Sequence, residues 1–274
     1  MKSKGIDGAA LRIIAMITML VDHIGWFFLK DHMMLTWIGR IAFPIYAFLL
    51  AEGFLVIYRD GERLKKHVAK LIMLTVISEL CFDFMEFQLN FTEYLVYQSN
   101  MVTLILGLLG MMATEWFVPS EPKEGGAASG KRVAALICIY VLLGFANYMM
   151  VGNFNLVGPW LVIAFYWTIR CSREASGTGN SWPWARRFLT ILSIFLCYLP
   201  FYFWVRSGFG DAAGWWKEVV DCAPWIAGHI LSAFIISLYN GALGYHAKWF
   251  RRLYYSFYPV HMLVIGIICM LIGI

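Results

Sequence analysis

Nine stretches of about 20 mainly apolar residues follow one another along the 274-residue chain, at 9–29, 34–57, 66–85, 97–118, 132–150, 156–170, 186–206, 222–241 and 253–273. Inside a bilayer every backbone N–H and C=O must be satisfied within the segment, so a stretch this long and apolar is read as a spanning helix. The expected fold is therefore all-α, a polytopic transmembrane helical bundle formed by a single domain over residues 1–274. The count is about nine helices, within a range of eight to ten, because the sixth stretch is short and Pro224, Gly228 and His229 interrupt the eighth. Charged residues make up 14% of the chain, well below the roughly 25% of soluble domains. Its 12 Trp and 14 Tyr suit helix ends anchored at the two interfaces.

Lys and Arg in the short loops set the orientation. With the N-terminus inside, 17 basic residues fall on the cytoplasmic side, grouped at 2–4, 59–70, 123–132, 170–173, 186–187 and 248–252. Lys30, Arg206 and Lys217 fall outside, and Arg12 and Arg40 lie within or at the edge of the membrane. An odd helix count then leaves the C-terminus outside. The net charge of +5 is explained by this asymmetry, and no nucleic-acid partner is expected. No small-residue cleavage site follows the first stretch, which is read as a retained helix. The six cysteines have no metal-ligand spacing and are read as packing residues, so no metal is expected; Cys81 and Cys222, both toward the outer side, would pair only in an oxidising compartment.

Against that apolar background the ionisable residues stand out, since a charge within a span is a functional-site hypothesis by default. The first helix carries Arg12, Asp22 and His23. Eleven residues at 100° each bring His23 to within about 20° of the face of Arg12 and about 16 Å further along the axis. The second helix enters from the outer side, which sets Arg40 near the level of Asp22 and His23 and brings Glu52 toward the cytoplasm. Glu79 and Asp83, four apart on the third helix, share one face at the outer level. Arg40 thus has Asp22, Glu79 and Asp83 as possible partners, and the plain alternative is an ion-pair cluster that only fixes helix packing. A carboxylate beside an imidazole can orient it and stabilise its charged form, which favours chemistry at Asp22 and His23.

Several of these segments have a pattern in common with a known family. Asp22-His23-Ile24-Gly25 is followed by the run from Gly39 to Gly53, which holds Arg40, Pro44 and Glu52, and then by Ile77-Ser78-Glu79. Further along come the run from Ser99-Asn100 to Gly107, Tyr239-Asn240-Gly241 and Phe257-Tyr258-Pro259-Val260-His261. In order and spread the chain resembles the TraX family of bacterial membrane proteins, with a weaker middle from about 119 to 230. Around Gly152-Asn153-Phe154-Asn155 the acidic residue of the family pattern is missing. The family's named member is implicated in N-acetylation of a pilin subunit. TraX is in turn similar to integral membrane acyltransferases that modify surface glycans, in which a first-helix Arg-x10-His pattern accompanies activity; Arg12 and His23 reproduce it.

The resemblance implies transfer of an acetyl or other short acyl group from cytoplasmic acyl-CoA, most simply acetyl-CoA, in a bacterial plasma (inner) membrane. The acceptor would be a pilin or peptide N-terminal amine at the outer face, or else a surface glycan or lipid-linked sugar. Acyl transfer needs a base or nucleophile, donors for an oxyanion and a hold on an anionic donor. His23 is the candidate base or acyl carrier, Asp22 its orienting group, and Arg40, with Ser78 or Asn100 nearby, the oxyanion donor. Arg12 would meet the phosphates, helped by Lys248, Arg251 or Arg252, and the 16 Å to His23 is comparable to an extended pantetheine arm. His261 beside Tyr258 is a second catalytic or donor-orienting candidate; Glu52, Glu79, Asp83, Asn100 and Asn240 complete the set. A proton-coupled transporter would also carry intramembrane charges, yet no repeat relates residues 1–140 to 141–274.

Overall fold

The computed structural model describes residues 5–29, 32–94, 97–120, 129–150, 156–176, 184–207 and 212–273. These residues fold into α1 (Gly8–Phe28), α2 (Met33–Gly39), α3 (Ala42–Ile57), α4 (Gly61–Phe87), α5 (Asn100–Phe117), α6 (Gly130–Met149), α7 (Val157–Ser176), α8 (Trp184–Ser207), α9 (Ala212–Ser237) and α10 (Lys248–Ile272). Each of the nine predicted stretches coincides with one helix, apart from the second, which is divided. Among the described residues α1, the α2–α3 unit, α5, α6 and α10 are long and apolar enough to cross a membrane. Shorter apolar runs, Arg187–Tyr198 and Trp225–Ser237, lie in α8 and α9.

Three differences from the sequence reading stand out, two of them with a local cause. The stretch at 34–57 breaks at Arg40 because Pro44 has no N–H to give the carbonyl four residues back, and its ring would strike that carbonyl. Pro44 is instead accommodated in the first turn of α3, where a missing N–H costs nothing. Conversely, α9 runs unbroken through Gly228 and His229. Gly228 serves close packing, since a Cβ there would come within 2.5 Å of the Trp37 carbonyl and 2.9 Å of Arg40 Cβ. Finally, α10 begins at Lys248, five residues ahead of the predicted 253.

Small residues set the crossings, as expected where packing rather than water drives helix association. Gly107 and Gly110 let α5 lie against Val162 and Ile163 of α7, and Gly266 lets α10 lie against Phe84 of α4. The centre is α3, whose Ile45, Ala47, Phe48 and Ala51 are fully buried. By contrast α6 buries only Leu136, Gly144 and Asn147, leaving Ile137, Val141, Leu142 and Phe145 exposed, the face that lipid would cover.

Polar side chains close the helix ends. Asp7 accepts from the Ala10 amide at 2.8 Å to cap α1, and Asp60 accepts from Arg63 at 3.0 Å to cap α4. Ahead of α1 the chain is stitched to the segment after α9: Ile6 donates to Leu238 at 3.0 Å and accepts from Asn240 at 2.9 Å, and Gly8 donates to Ala242 at 2.8 Å. Near the other pole of the bundle the backbone N–H and hydroxyl of Ser99, the residue that caps α5, both bond Glu79 of α4. Helix α10 starts at the same pole as α1, so the two run parallel. These poles are called here the Gly8 end and the Phe28 end.

Candidate functional site

His23 lies 15 residues into α1 and His261 13 residues into α10, so two parallel helices carry them to similar depths, about 20–22 Å from their starts. His23 Nδ1 and His261 Nε2 are 2.7 Å apart. The rings are inclined by only 11° with centroids 4.9 Å apart, which is an edge-to-edge, nearly coplanar pair. The second nitrogen of His261 settles the proton bookkeeping. Its Nδ1 sits 2.7 Å from the Phe257 carbonyl, which can only accept, so that nitrogen carries the hydrogen. With both rings uncharged, His261 Nε2 accepts from His23 Nδ1–H, and the lone pair of His23 is left on Nε2. The orienting partner of His23 is thus His261, where the sequence suggested Asp22.

Asp22 is turned to α2. Its carboxyl lies so close over Gly39 that no Cβ fits there, and it stands in the field of Arg40. Arg40, at the break forced by Pro44, holds its guanidinium 4.3 Å above the Trp225 ring, a cation–π contact. Its charge also acts on His23. Beneath Trp225, whose carbonyl accepts from His229 at 2.7 Å, His229 packs on Tyr198. This layer behind Arg40 has no signature in the spacing of the sequence.

A cavity of about 1010 Å³ joins this end to the other, at the upper limit of the roughly 300–1,000 Å³ usual for ligand pockets. Asp22, His23, Arg40, Asn100 and Tyr258 line it toward the Phe28 end; Arg12, Glu52, Arg173, Tyr239, Arg251 and Tyr254 line it toward the Gly8 end. Arg12 lies 5.5 Å from the Tyr254 ring, and the Tyr239 hydroxyl donates to Glu52 at 2.6 Å. Both Arg12 and Arg173 act electrostatically on Tyr239. Tyr258 stands close to Ser99 and the Asn100 backbone, and Asn100 Oδ1 is buried without a hydrogen-bond partner.

The structure distributes the remaining predicted residues differently. Glu79, considered as a partner of Arg40, is occupied by Ser99 and fixes α4 to α5. Asp83 is fully buried on the same helix, and neither carboxylate lines the cavity. Asn240 is a latch residue: its side chain accepts from Ala242 at 2.9 Å and donates to the Gly5 carbonyl at 3.4 Å. Of the three basic residues assigned beside Arg12, Arg251 lines the cavity, whereas Lys248 and Arg252 are exposed and lie outside its lining. Ser78 is buried with no partner for its hydroxyl and is likewise absent from the lining. Cys81 is free; the side chain of Cys222 and the loop at 152–155 lie outside the described residues. Tyr239, Tyr254 and Arg173 were missed. Arg173 had a signal, a cation three residues past the end of the predicted span at 156–170, but in sequence it reads as an ordinary loop charge.

Comparison with known proteins gives the family. A family profile described as TraX protein matches residues 7–269. The chain is 30% identical over 122 residues to a protein of Dichelobacter nodosus described as "Probable fimbrial assembly protein FimC, serogroup H1", covering 40% of this chain and 48% of that one. The chain thus spans about half the length of this curated relative. No solved structure matches.

Proposed function

Because the chain belongs to the TraX family, we propose that it is an acyl-CoA-dependent acyltransferase of the bacterial inner membrane. It moves an acetyl or short acyl group from the cytoplasmic face to an acceptor outside. The observation that carries this reading is a cavity with an arginine-rich end at Arg12 and the open Nε2 of His23 at the other. The fimbrial assembly name of the D. nodosus relative favours a pilin-class acceptor, with an N-terminal amine as nucleophile, over a glycan.

In the transfer step, His23 Nε2 takes a proton from the attacking amine as its nitrogen bonds to the thioester carbonyl carbon. The carbonyl oxygen gains charge within reach of a cation and amide donors, the role assigned to Arg40 and Asn100. Collapse breaks the C–S bond, the proton on His23 passes to the departing CoA thiolate, and the products are an amide and free CoA. The imidazolium that forms in between is stabilised by His261 Nε2 accepting from Nδ1–H. Such a site protonates and deprotonates within the protein and needs no second carrier.

Orientation follows from the positive-inside asymmetry, with the Gly8 end in the cytoplasm and the Phe28 end outside. The test is twofold. Protein in proteoliposomes should transfer radiolabelled acetyl from acetyl-CoA to a pilin-like peptide, and a background at the uncatalysed rate would refute the activity. In a cysteine-free background, a membrane-impermeant thiol reagent applied to whole cells should label a cysteine at Asn90 and miss one at Glu62. The reverse pattern would overturn the direction of transfer.

A further inference from the structure

We propose that Arg173 completes a seat for a multiply charged phosphate ligand, of the class borne by a nucleoside bisphosphate, at the Gly8 end of the cavity. Arg173 reaches across from α7, and its Nη1 donates to the Leu55 carbonyl at 3.3 Å in the last turn of α3. That bond fixes one edge of the guanidinium. The Nε–H on another edge is buried and has no hydrogen-bond partner, although the residue lines the cavity. A guanidinium presents its donors in a rigid fork suited to phosphate oxygens, so an arginine that lines a cavity with part of its fork unused suits an oxyanion ligand.

The charge balance around it sets the sign of that ligand's charge. Arg12 and Arg251 line the same end, and Lys70 stands 3.2 Å above the Tyr255 ring, close enough to Arg251 for the two charges to interact. The carboxylate that this end contributes to the lining is Glu52, already accepting from Tyr239. Three arginines line this end against one carboxylate, an excess of positive charge that an anion from outside the protein would balance. Tyr239, Tyr245 and Tyr254 supply flat walls beside the cations, able to flank a base. A bisphosphate-bearing nucleotide satisfies both features, whereas a single carboxylate or an uncharged arm satisfies neither.

The identification of this nucleotide with the head of acyl-CoA rests on the reading in the preceding subsection; the seat itself does not. The test uses the full-length protein in nanodiscs and three probes: adenosine 3′,5′-bisphosphate, inorganic pyrophosphate and pantetheine. The wild type should bind the bisphosphate, with an affinity that falls as salt rises. Arg173→Gln should weaken it by about 10- to 100-fold, the worth of one to two charge-assisted hydrogen bonds, and leave pantetheine unaffected. Arg173→Lys, which keeps the charge but not the fork of donors, should fall between, and it carries the test if Arg173→Gln does not fold. Unchanged bisphosphate affinity in both variants, or no binding to wild type, overturns the seat. Tight binding of pyrophosphate alone, with no gain from the nucleoside, keeps the arginine seat but overturns the nucleotide assignment. Binding that depends on Arg173 without any acetyl transfer would refute the acyltransferase and leave the seat standing; transfer with an unaltered KM for acetyl-CoA in Arg173→Gln would do the opposite.

Discussion

At the Phe28 end of the cavity, a hydrogen-bond chain runs from His23 Nδ1 through His261 to the Phe257 carbonyl. At the Gly8 end, cations outnumber carboxylates and Arg173 keeps a buried donor unused. A closed hydrogen-bond chain fixes which atom bears a lone pair and in which direction it points, as a group that handles protons requires. An unbalanced charge cluster is incomplete until something binds. Under the proposed function, the contrast separates the end that does the chemistry from the end that holds the donor, within one cavity.

That contrast breaks most sharply at His23. His23→Ala should lower transfer by about 10²- to 10⁴-fold while CoA binding, measured by isothermal titration, stays near wild type; turnover at the wild-type rate would remove the Phe28 end from the chemistry. His261→Leu should cost about 10- to 100-fold, the usual worth of a group that orients another. His261→Gln, which retains an acceptor for His23 Nδ1–H, should recover part of that loss. Nitrogen-15 chemical shifts of labelled histidine should report the Nδ1–H tautomer of His23 in the wild type and a mixture in His261→Leu.

Between the two ends in severity comes Gly39→Val, which forces a side chain into the space of the Asp22 carboxyl. It should destabilise the fold by about 1–3 kcal/mol, read as a lower midpoint of thermal unfolding in nanodiscs. At the Gly8 end Arg12→Ala should weaken CoA binding by about tenfold, with the difference shrinking at high salt, and leave the rate at saturating donor unchanged. The smallest effect belongs to Asn240→Ala, which removes latch bonds and should cost about 1 kcal/mol of stability with unaltered kcat and KM. A large loss of kcat in that variant would return Asn240 to the chemistry.

Much of this architecture is legible in the sequence because lipid leaves the backbone few options. The nine apolar stretches mark where helices form, and the 100° rotation per residue aligns Arg12 with His23 along one helix. The break at Arg40 was readable in principle from Pro44, four residues on. Contacts between distant helices were not. Glu79 and Asp83 share a face, yet nothing in their spacing says that Ser99 will claim Glu79. Asn240 looked like a polar residue in a site motif, but its bonds are to the backbone of residues 5 and 242. Arg173 was obscured for the opposite reason, since a cation just past an apolar stretch is what topology alone demands.

The pairing of His23 with His261 also bears on how the protein is made. The partners are separated by 238 residues, and helices enter the membrane in order as the ribosome advances at about 5–20 residues per second. For about 12–48 s the first helix therefore sits in the bilayer without the ring that orients its imidazole. The Ile6 and Tyr239 segments meet almost as late. The chain thus withholds the paired histidines until nearly all of it has been synthesised, and an unfinished copy has no assembled pair.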